Sequence, residues 1–399
     1  MTAGHRAIWS YAWDLHDIGL DAALGRIAEA GLDTVSLATS YHAGRFLQPG
    51  NPRRRVWFPQ DGTVYYRADP ARWRGAEIAP LVADTVATEG DMLGALIDRR
   101  ARGGPAVSCW TVCLHNTRLG MAHPDHVVRT AHGDPGYYGL CPASPAARAY
   151  AAGLVAEISE VYAPDRIEIE TLDFMGFDHG FHHEKDGLGL WPEDRFLLGL
   201  CFCRHCLDAA AADGIDAEAA RAEVARLLDA AFARELPAPA FPDFPARGIA
   251  AFEGHPALHA FLGWRPRVLG RLAAEMRAAC RAPTRLALID FAGSWWGGVD
   301  LGTLAPHFDG VIWCAYTAPP AQVAAELAGL RALIGPDRAL SLGLQLFHPV
   351  VADAADFAAR VAAAEGAADG LNVYNLGLVP PARLGWVRHA LGASSRLLG

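Results

Sequence analysis

Residues 166–174 read Arg-Ile-Glu-Ile-Glu-Thr-Leu-Asp-Phe and carry the densest chemical signal in the chain. Side chains of a strand alternate between faces, so Ile167 and Ile169 share one face while Glu168 and Glu170 share the other. Two carboxylates on one buried face are costly unless they are paired or used. Glu170 stands nearer the end of the run, and Asp173 follows just beyond it. A further acid, Asp290, closes Leu-Ala-Leu-Ile-Asp ahead of Gly293-Ser294-Trp295-Trp296-Gly297-Gly298. Carboxyl groups whose surroundings push their protonation apart do general acid–base work. Indole faces beside carboxylates suit stacking on sugar rings and accepting hydrogen bonds from their hydroxyls. Glu170 and Asp290 are therefore the first choice of catalytic pair, with Asp173 as the substitute for either. Asp290 as a helix cap, and Glu168 as an ion-pair partner inside the fold, are the structural alternatives.

A second constellation is Cys201-Phe202-Cys203-Arg204-His205-Cys206, a Cys-x-Cys-x-x-Cys unit. Three thiolates this close can hold a tetrahedral zinc if a fourth ligand joins them, and Cys141, His205 or a histidine of the preceding segment could supply it. Such a closed site would be structural. The other reading is three reduced cysteines packing a tight turn. The run Asp178-His179-Gly180-Phe181-His182-His183-Glu184-Lys185 lacks the i, i+4 spacing of a helical zinc site. His182 is expected to touch substrate instead.

The elements that must position these groups repeat along the chain. Eight short β-branched or apolar runs, residues 7–12, 34–40, 106–113, 166–171, 285–290, 310–316, 339–345 and 370–374, alternate with segments of helical period. Leu20, Ala23, Leu24, Ile27 and Ala28 form one helical stripe that stops at Gly31, and residues 151–162 form another. Eight such units, with no Gly-rich phosphate loop after the first strand, predict an α/β fold, a (β/α)8 TIM barrel spanning residues 1–399 as one domain. Two stretches exceed the minimal repeat. Residues 43–88 follow strand two, and residues 174–254 follow strand four with helical periods at 197–213 and 216–236 and a Pro-rich link at 237–245. Both insertions belong to the C-terminal face, where barrels build their sites.

The ends of the other strands offer polar and aromatic groups to that face. They are Trp13-Asp14, Tyr41-His42, His115-Asn116, Tyr316, Gln345 followed by His348, and Tyr374-Asn375. Tyr41, His42, His115, Asn116, Tyr316, Gln345, His348, Tyr374 and Asn375 are expected to hold hydroxyls of a polyol ligand. Trp295 and Trp296 are expected to stack on it without serving the core.

The bulk composition agrees with a soluble enzyme. The chain has 399 residues, 52% of them hydrophobic, and a formal charge of −9. This is not the basic field of a nucleic-acid binder, and Arg53-Arg54-Arg55 is a local run. No stretch is long and apolar enough for a membrane span, and no signal peptide is visible at the start. The eight cysteines are then read as reduced, in a cytoplasmic protein.

The motifs also carry a resemblance. The acid-bearing fourth strand, Leu-Cys-Pro-Ala-Ser-Pro at 140–145 and Leu-Cys-Phe-Cys-Arg-His-Cys-Leu at 200–207 resemble glycoside-hydrolase-like (β/α)8 proteins. The cysteine unit is similar to the zinc cluster of family 42 β-galactosidases, which implies Cys201, Cys203 and Cys206 as ligands and Cys141 as a candidate fourth. By motif the resemblance covers roughly residues 107–210. That family ends strand four with Asn-Glu and strand seven with Glu; here strand four has no Asn-Glu and strand seven offers Gln345. The catalytic pair is therefore not carried over.

The expectation is an enzyme that cleaves a glycosidic bond of a carbohydrate or glycoside with two carboxylates, needing no cofactor for the chemistry. Two other classes stay open. One is a metal-dependent sugar isomerase or epimerase with Glu170, Asp290 and His348 as ligands. The other is a non-catalytic sugar-binding barrel, suggested by Gln345. The sugar, the linkage, the stereochemical course and a homo-oligomeric state are not specified by the sequence.

Overall fold

Alternating apolar runs and helical periods produce a closed ring of parallel strands in the computed structural model, which describes residues 5–179 and 183–393. The barrel strands are β1 (His5–Ser10), β2 (Thr34–Tyr41), β3 (Ala106–Val112), β4 (Arg166–Glu170), β5 (Arg285–Phe291), β6 (Gly310–Cys314), β7 (Ala339–Gln345) and β8 (Gly370–Tyr374). Each pairs in parallel with its sequence neighbour, and β1 closes the ring by pairing Ile8 with Val373 of β8 and with Val35 of β2. The fold is the expected (β/α)8 barrel.

All eight expected strands form, but the first is shifted. It runs over His5–Ser10, because residues 12–18 turn into a helix whose first turn is closed by Asp14. The Tyr11 amide donates to the Asp14 carboxylate at 3.0 Å. Asp14 therefore caps a helix and Trp13 is buried within its first turn, stacked on Tyr11, so neither ends a strand as the sequence suggested. The helical stripe at residue 20 becomes Leu20–Glu29. The expected 151–162 helix starts earlier, at Pro145, because the Ser144 side chain accepts from the Ala147 amide as its N-cap.

Two layers of apolar packing hold the barrel. Ile8, Leu37, Val107, Ile167, Ile169, Leu288 and Leu342 face outward into the helices. Trp9, Trp110, Ala287, Ile312 and Cys314 face the barrel axis. After β2 the chain makes a hairpin, Phe46–Leu47 with Val56–Trp57, and lays Thr63–Val64 antiparallel on the end of β2. After β3 a second hairpin pairs Val127–Arg129 with Pro135–Leu140. After β4 come the helices Pro192–Leu198, Arg204–Ala212 and Ala217–Phe232, then the long helix Pro256–Ala279 that returns to the barrel wall. Among the described residues no helix is long and apolar enough to cross a membrane.

Candidate active site

The two inward glutamates of β4 have different surroundings. Glu168 is fully buried near the barrel floor and accepts from Trp9 Nε1 at 2.9 Å, Ser36 Oγ at 2.6 Å, Arg166 at 2.7 Å and Asn372 Nδ2 at 3.2 Å. Its acceptor capacity is used by the scaffold, so it ties β1, β2, β4 and β8 together.

Glu170, one step higher, has a single side-chain hydrogen bond among the described residues, from the indole Nε1–H of Trp110. Burial, with the charge of Asp173 added, pushes its pKa up to about 7, against the pull of that indole. An aromatic mouth surrounds it. Trp9 lies 6.0 Å from Tyr374 and 6.5 Å from Tyr316 between ring centres, and Tyr41 lies 4.9 Å from Trp110. The Tyr11 hydroxyl bonds both Tyr41 (3.2 Å) and Tyr374 (3.0 Å), fixing three phenols in one network. Trp9 and Trp110 were absent from the sequence-based candidates, although the alternation that placed Glu170 inward also places them there. Immediately after Glu170, Thr171 adopts φ +55°, a conformation that a β-branched residue rarely takes. Its Oγ1 accepts the Cys113 amide at 3.2 Å, which helps hold the turn. Such local strain concentrates at functional sites.

Asp173 and Asp290 line a cleft of about 440 Å³ at the ends of β4 and β5, together with Glu170, His179 and Trp296. Burial pushes each of these aspartates up to about 6. Arg265 opposes the shift at Asp173, while Ser294 and the Phe291 backbone oppose it at Asp290. Asp173 packs directly against Gly297; a Cβ there would stand 2.0 Å from its Oδ2, so a larger residue would displace the carboxylate.

The expected direct pairing of Glu170 with Asp290 needs correction. Asp290 shares strand parity with Leu286 and Leu288, which face the outer layer, whereas Ala287 and Ile289 pack toward the axis. Glu170 and Asp290 thus leave their strands on opposite faces of the sheet, although both border the cleft. Asp173, beyond the strand end, is the charged neighbour of both.

The remaining candidates divide. His42 and His115 stack at 4.0 Å between ring centres, and His179 meets His115 edge-on at 4.0 Å. Burial lowers all three imidazoles, His115 to about 2 and His179 to about 4, so they are neutral donors and acceptors at neutral pH. Asn116 is consumed as the N-cap of Thr117–Ala122, accepting from Leu119, and its amide donates to Gly62 O. Gln345 donates to the Tyr316 carbonyl at 3.1 Å. Asn375 is fully buried and accepts from the Gly377 amide. His348 is exposed beyond β7, away from the buried acids. Trp295 and Trp296 are half-buried and pack on Phe196 and Phe244 of the insertion, so they serve the core as well as the cleft, contrary to expectation. His182 lies outside the described residues.

Buried carboxyls with raised pKa values are not confined to the cleft. Asp14 is pushed to about 7 by burial, but the Tyr11 amide and the Gln48 side chain donate to it, which makes it a cap. Asp17 and Glu89, near His16, are bridged by Arg54, an ion-pair network with its own cation.

The cysteine unit gains its fourth member from the hairpin after β3. Cys141, Cys201, Cys203 and Cys206 are all buried, with Cys141 Sγ 3.5 Å from Cys206, 3.7 Å from Cys201 and 3.5 Å from Cys203. Zinc–sulfur bonds of about 2.3 Å put tetrahedral sulfurs about 3.8 Å apart, so the cluster fits that ion. Backbone amides of Arg129 and Ala143 donate to Cys201 and Cys141, as thiolates require. Burial pushes the Cys141 and Cys206 thiols up, while bonds from the other three sulfurs draw Cys203 down. Arg265, itself buried, is pulled down to about 10 by that burial and keeps its charge at neutral pH.

No protein-family model and no curated protein matches the sequence. Solved structures do. A β-galactosidase from the psychrophilic Marinomonas ef1 superposes with TM-score 0.58 at 12% identity, over 98% of this chain and 59% of its own. The PgaB (BpsB) glycoside hydrolase domain from Bordetella bronchiseptica gives 0.57 at 15%, over 99% of both chains. The fold is a glycoside-hydrolase-like barrel. The α-L-fucosidase isoenzyme 2 from Paenibacillus thiaminolyticus gives 0.56 at 12%, over 98% of this chain and 49% of its own. This glycoside-hydrolase-like barrel thus spans about half of the fucosidase, somewhat more of the β-galactosidase, and the whole PgaB domain.

Proposed function

We propose that the chain hydrolyses a glycosidic bond, with Glu170 as the proton donor and Asp173 as the second carboxylate. The observation that carries this reading is the pair itself: two carboxyls beside one strand end, both raised by burial, in a cleft at the mouth of a glycoside-hydrolase-like barrel. Glycoside hydrolysis needs one carboxyl that keeps its proton for the leaving oxygen and one that stays ionised to attack or to activate water. Glu170, at about 7, holds its proton near neutrality; Asp173, eased by Arg265, releases it first. Asp290 moves to second place because it faces the other side of the sheet. The Trp110 indole fixes Glu170 toward the sugar, Tyr316, Tyr374 and Trp296 offer ring faces, and Tyr41, His42 and His115 meet hydroxyls.

The reaction draws on these residues alone. The four cysteines are read as a structural zinc site, in which the metal's contribution is folding free energy. In this reading Cys141 joins the β3 hairpin to the insertion after β4. The isomerase alternative loses support, since His348 is exposed and Asp290 is turned from Glu170. The non-catalytic sugar-binding reading keeps one observation in its favour, Gln345 at the end of β7, although its amide is engaged by Tyr316.

A panel of nitrophenyl glycosides, assayed with wild type and Asp173→Asn, tests the proposal, because the attacking or water-activating carboxylate is needed whatever the leaving group. Nitrophenol release that disappears in the variant supports it. Sugar binding without turnover across the panel overturns it in favour of the non-catalytic reading.

A further inference from the structure

Arg265 lies on the helix Pro256–Ala279 one turn after Phe261, whose ring stacks at 4.8 Å on Phe202 between Cys201 and Cys203, and it reaches the Trp296 loop of the acidic cleft. It is 2% exposed, yet among the described residues no carboxylate lies within ion-pair distance of it. One guanidinium nitrogen donates to the Trp296 carbonyl at 2.8 Å, the group lies 5.0 Å over the Phe174 ring, and Nε has no partner among the described residues. Gly298 lets the loop approach: a Cβ there would stand 3.2 Å from the Arg265 Cβ. The loop is in turn bonded to the end of β4, where the Phe174 amide donates to Gly297 O at 3.0 Å and Asp173 rests on Gly297. Negative charge on Asp173 or on the sulfurs of Cys206, Cys201 and Cys141 would favour the Arg265 cation.

A buried cation without a nearby carboxylate is costly unless an opposite charge balances it. A zinc ion with four thiolates is formally a dianion, and it too needs balancing. We propose that Arg265 is the counter-cation of the metal-loaded cysteine cluster, and the positioning residue through which that cluster sets the Trp296 loop and Asp173. This rests on the zinc reading given above. Loading the cluster fixes the guanidinium, the guanidinium fixes the Trp296 carbonyl, and the loop backbone fixes the surface on which Asp173 rests. Partners just outside a metal's ligands typically tune its affinity.

The test compares full-length wild type, Arg265→Lys and Arg265→Met. Zinc affinity is read by competition with a chromogenic chelator, and loop position by fluorine NMR of protein carrying 5-fluorotryptophan, with Trp296 and Trp57 resonances assigned by substitution to Phe. Arg265→Met is expected to bind zinc about 10–100-fold more weakly, and Arg265→Lys, which keeps the charge, to lose distinctly less. Removing zinc from wild type is expected to move the Trp296 resonance and leave that of Trp57, in the distant hairpin, unchanged. An affinity of Arg265→Met within about twofold of wild type overturns the proposal, as does a Trp296 resonance indifferent to zinc. If Arg265→Met does not fold, Arg265→Lys and the wild-type spectra decide in the same way. A wild type that binds no zinc overturns the metal reading and this inference together, whereas equal binding by wild type and Arg265→Met overturns only the inference.

Discussion

The indole Nε1–H of Trp110 on β3 donates to the carboxylate of Glu170 on the neighbouring β4. The register places these strands side by side, with Glu168 opposite Trp110 and Glu170 opposite Val112, so the indole reaches up one step along the inner face. Burial raises Glu170 and this bond lowers it, and the balance leaves a carboxyl that titrates near neutrality. A group poised there is what a proton donor requires.

The first consequence is a narrow pH optimum. Activity needs Glu170 protonated, which fails as pH rises through about 7, and Asp173 ionised, which fails as pH falls through about 6. A bell-shaped profile of kcat/KM with those two limbs is expected, and Trp110→Phe should push the alkaline limb upward because it removes the bond that favours the ionised carboxylate. A flat profile across this range would count against both assignments.

The same shift acts on stability. The folded Glu170 keeps its proton up to about 7, against 4.5 for an unperturbed side chain. Between those values the folded chain binds more protons than the unfolded chain, so this group's contribution falls as pH rises. The loss is on the order of 3 kcal/mol once pH exceeds 7. Glu170→Gln cannot ionise, so its Tm relative to wild type should rise between mildly acidic and mildly alkaline buffer. Thermal melts at several pH values check this; a constant difference would show that Glu170 is not buried as described.

Trp295 and Trp296 should separate by readout. Both pack on Phe196 and Phe244, but Trp296 also lines the cleft. Trp295→Ala is expected to cost about 2 kcal/mol of stability with KM unchanged. Trp296→Ala is expected to destabilise comparably and to raise KM as well. Denaturant melts beside substrate titrations distinguish the two.

The cysteine cluster predicts a metal-dependent fold. Protein from zinc-supplemented cells should carry a single zinc per chain, and chelation should lower Tm through loss of the link between the β3 hairpin and the insertion. Cys141→Ser should reproduce that loss although it lies 60 residues from Cys201. Zinc-free protein with an unchanged Tm would identify the cysteines as simple core residues.

Much of this was legible in the residues. Strand alternation put Ile167 and Ile169 outward and Glu168 and Glu170 inward, because the two faces of β4 differ in polarity. It failed at β5, where Leu-Ala-Leu-Ile is apolar on both faces and gives Asp290 no side. Cys141 could only be a candidate, since the hairpin that delivers it has no alternating pattern; Pro135–Leu140 reads Pro-Gly-Tyr-Tyr-Gly-Leu. The capping roles of Asp14 and Asn116 were hidden for a related reason. A polar residue at a strand end looks the same whether it faces a ligand or the first turn of the next helix.

The central claim, that Glu170 delivers the proton, is tested most directly by the leaving-group dependence of Glu170→Gln. Once the glycone has been found with the nitrophenyl panel, kcat/KM is measured for wild type and variant on glycosides with leaving groups of increasing basicity. On a basic alkyl leaving group, which must be protonated to depart, the variant should lose ~10²–10⁴-fold. On dinitrophenyl, which departs without a proton, the loss should be far smaller. An equal loss on both, or a variant that keeps more than about a tenth of the wild-type rate on the alkyl glycoside, would contradict the assignment.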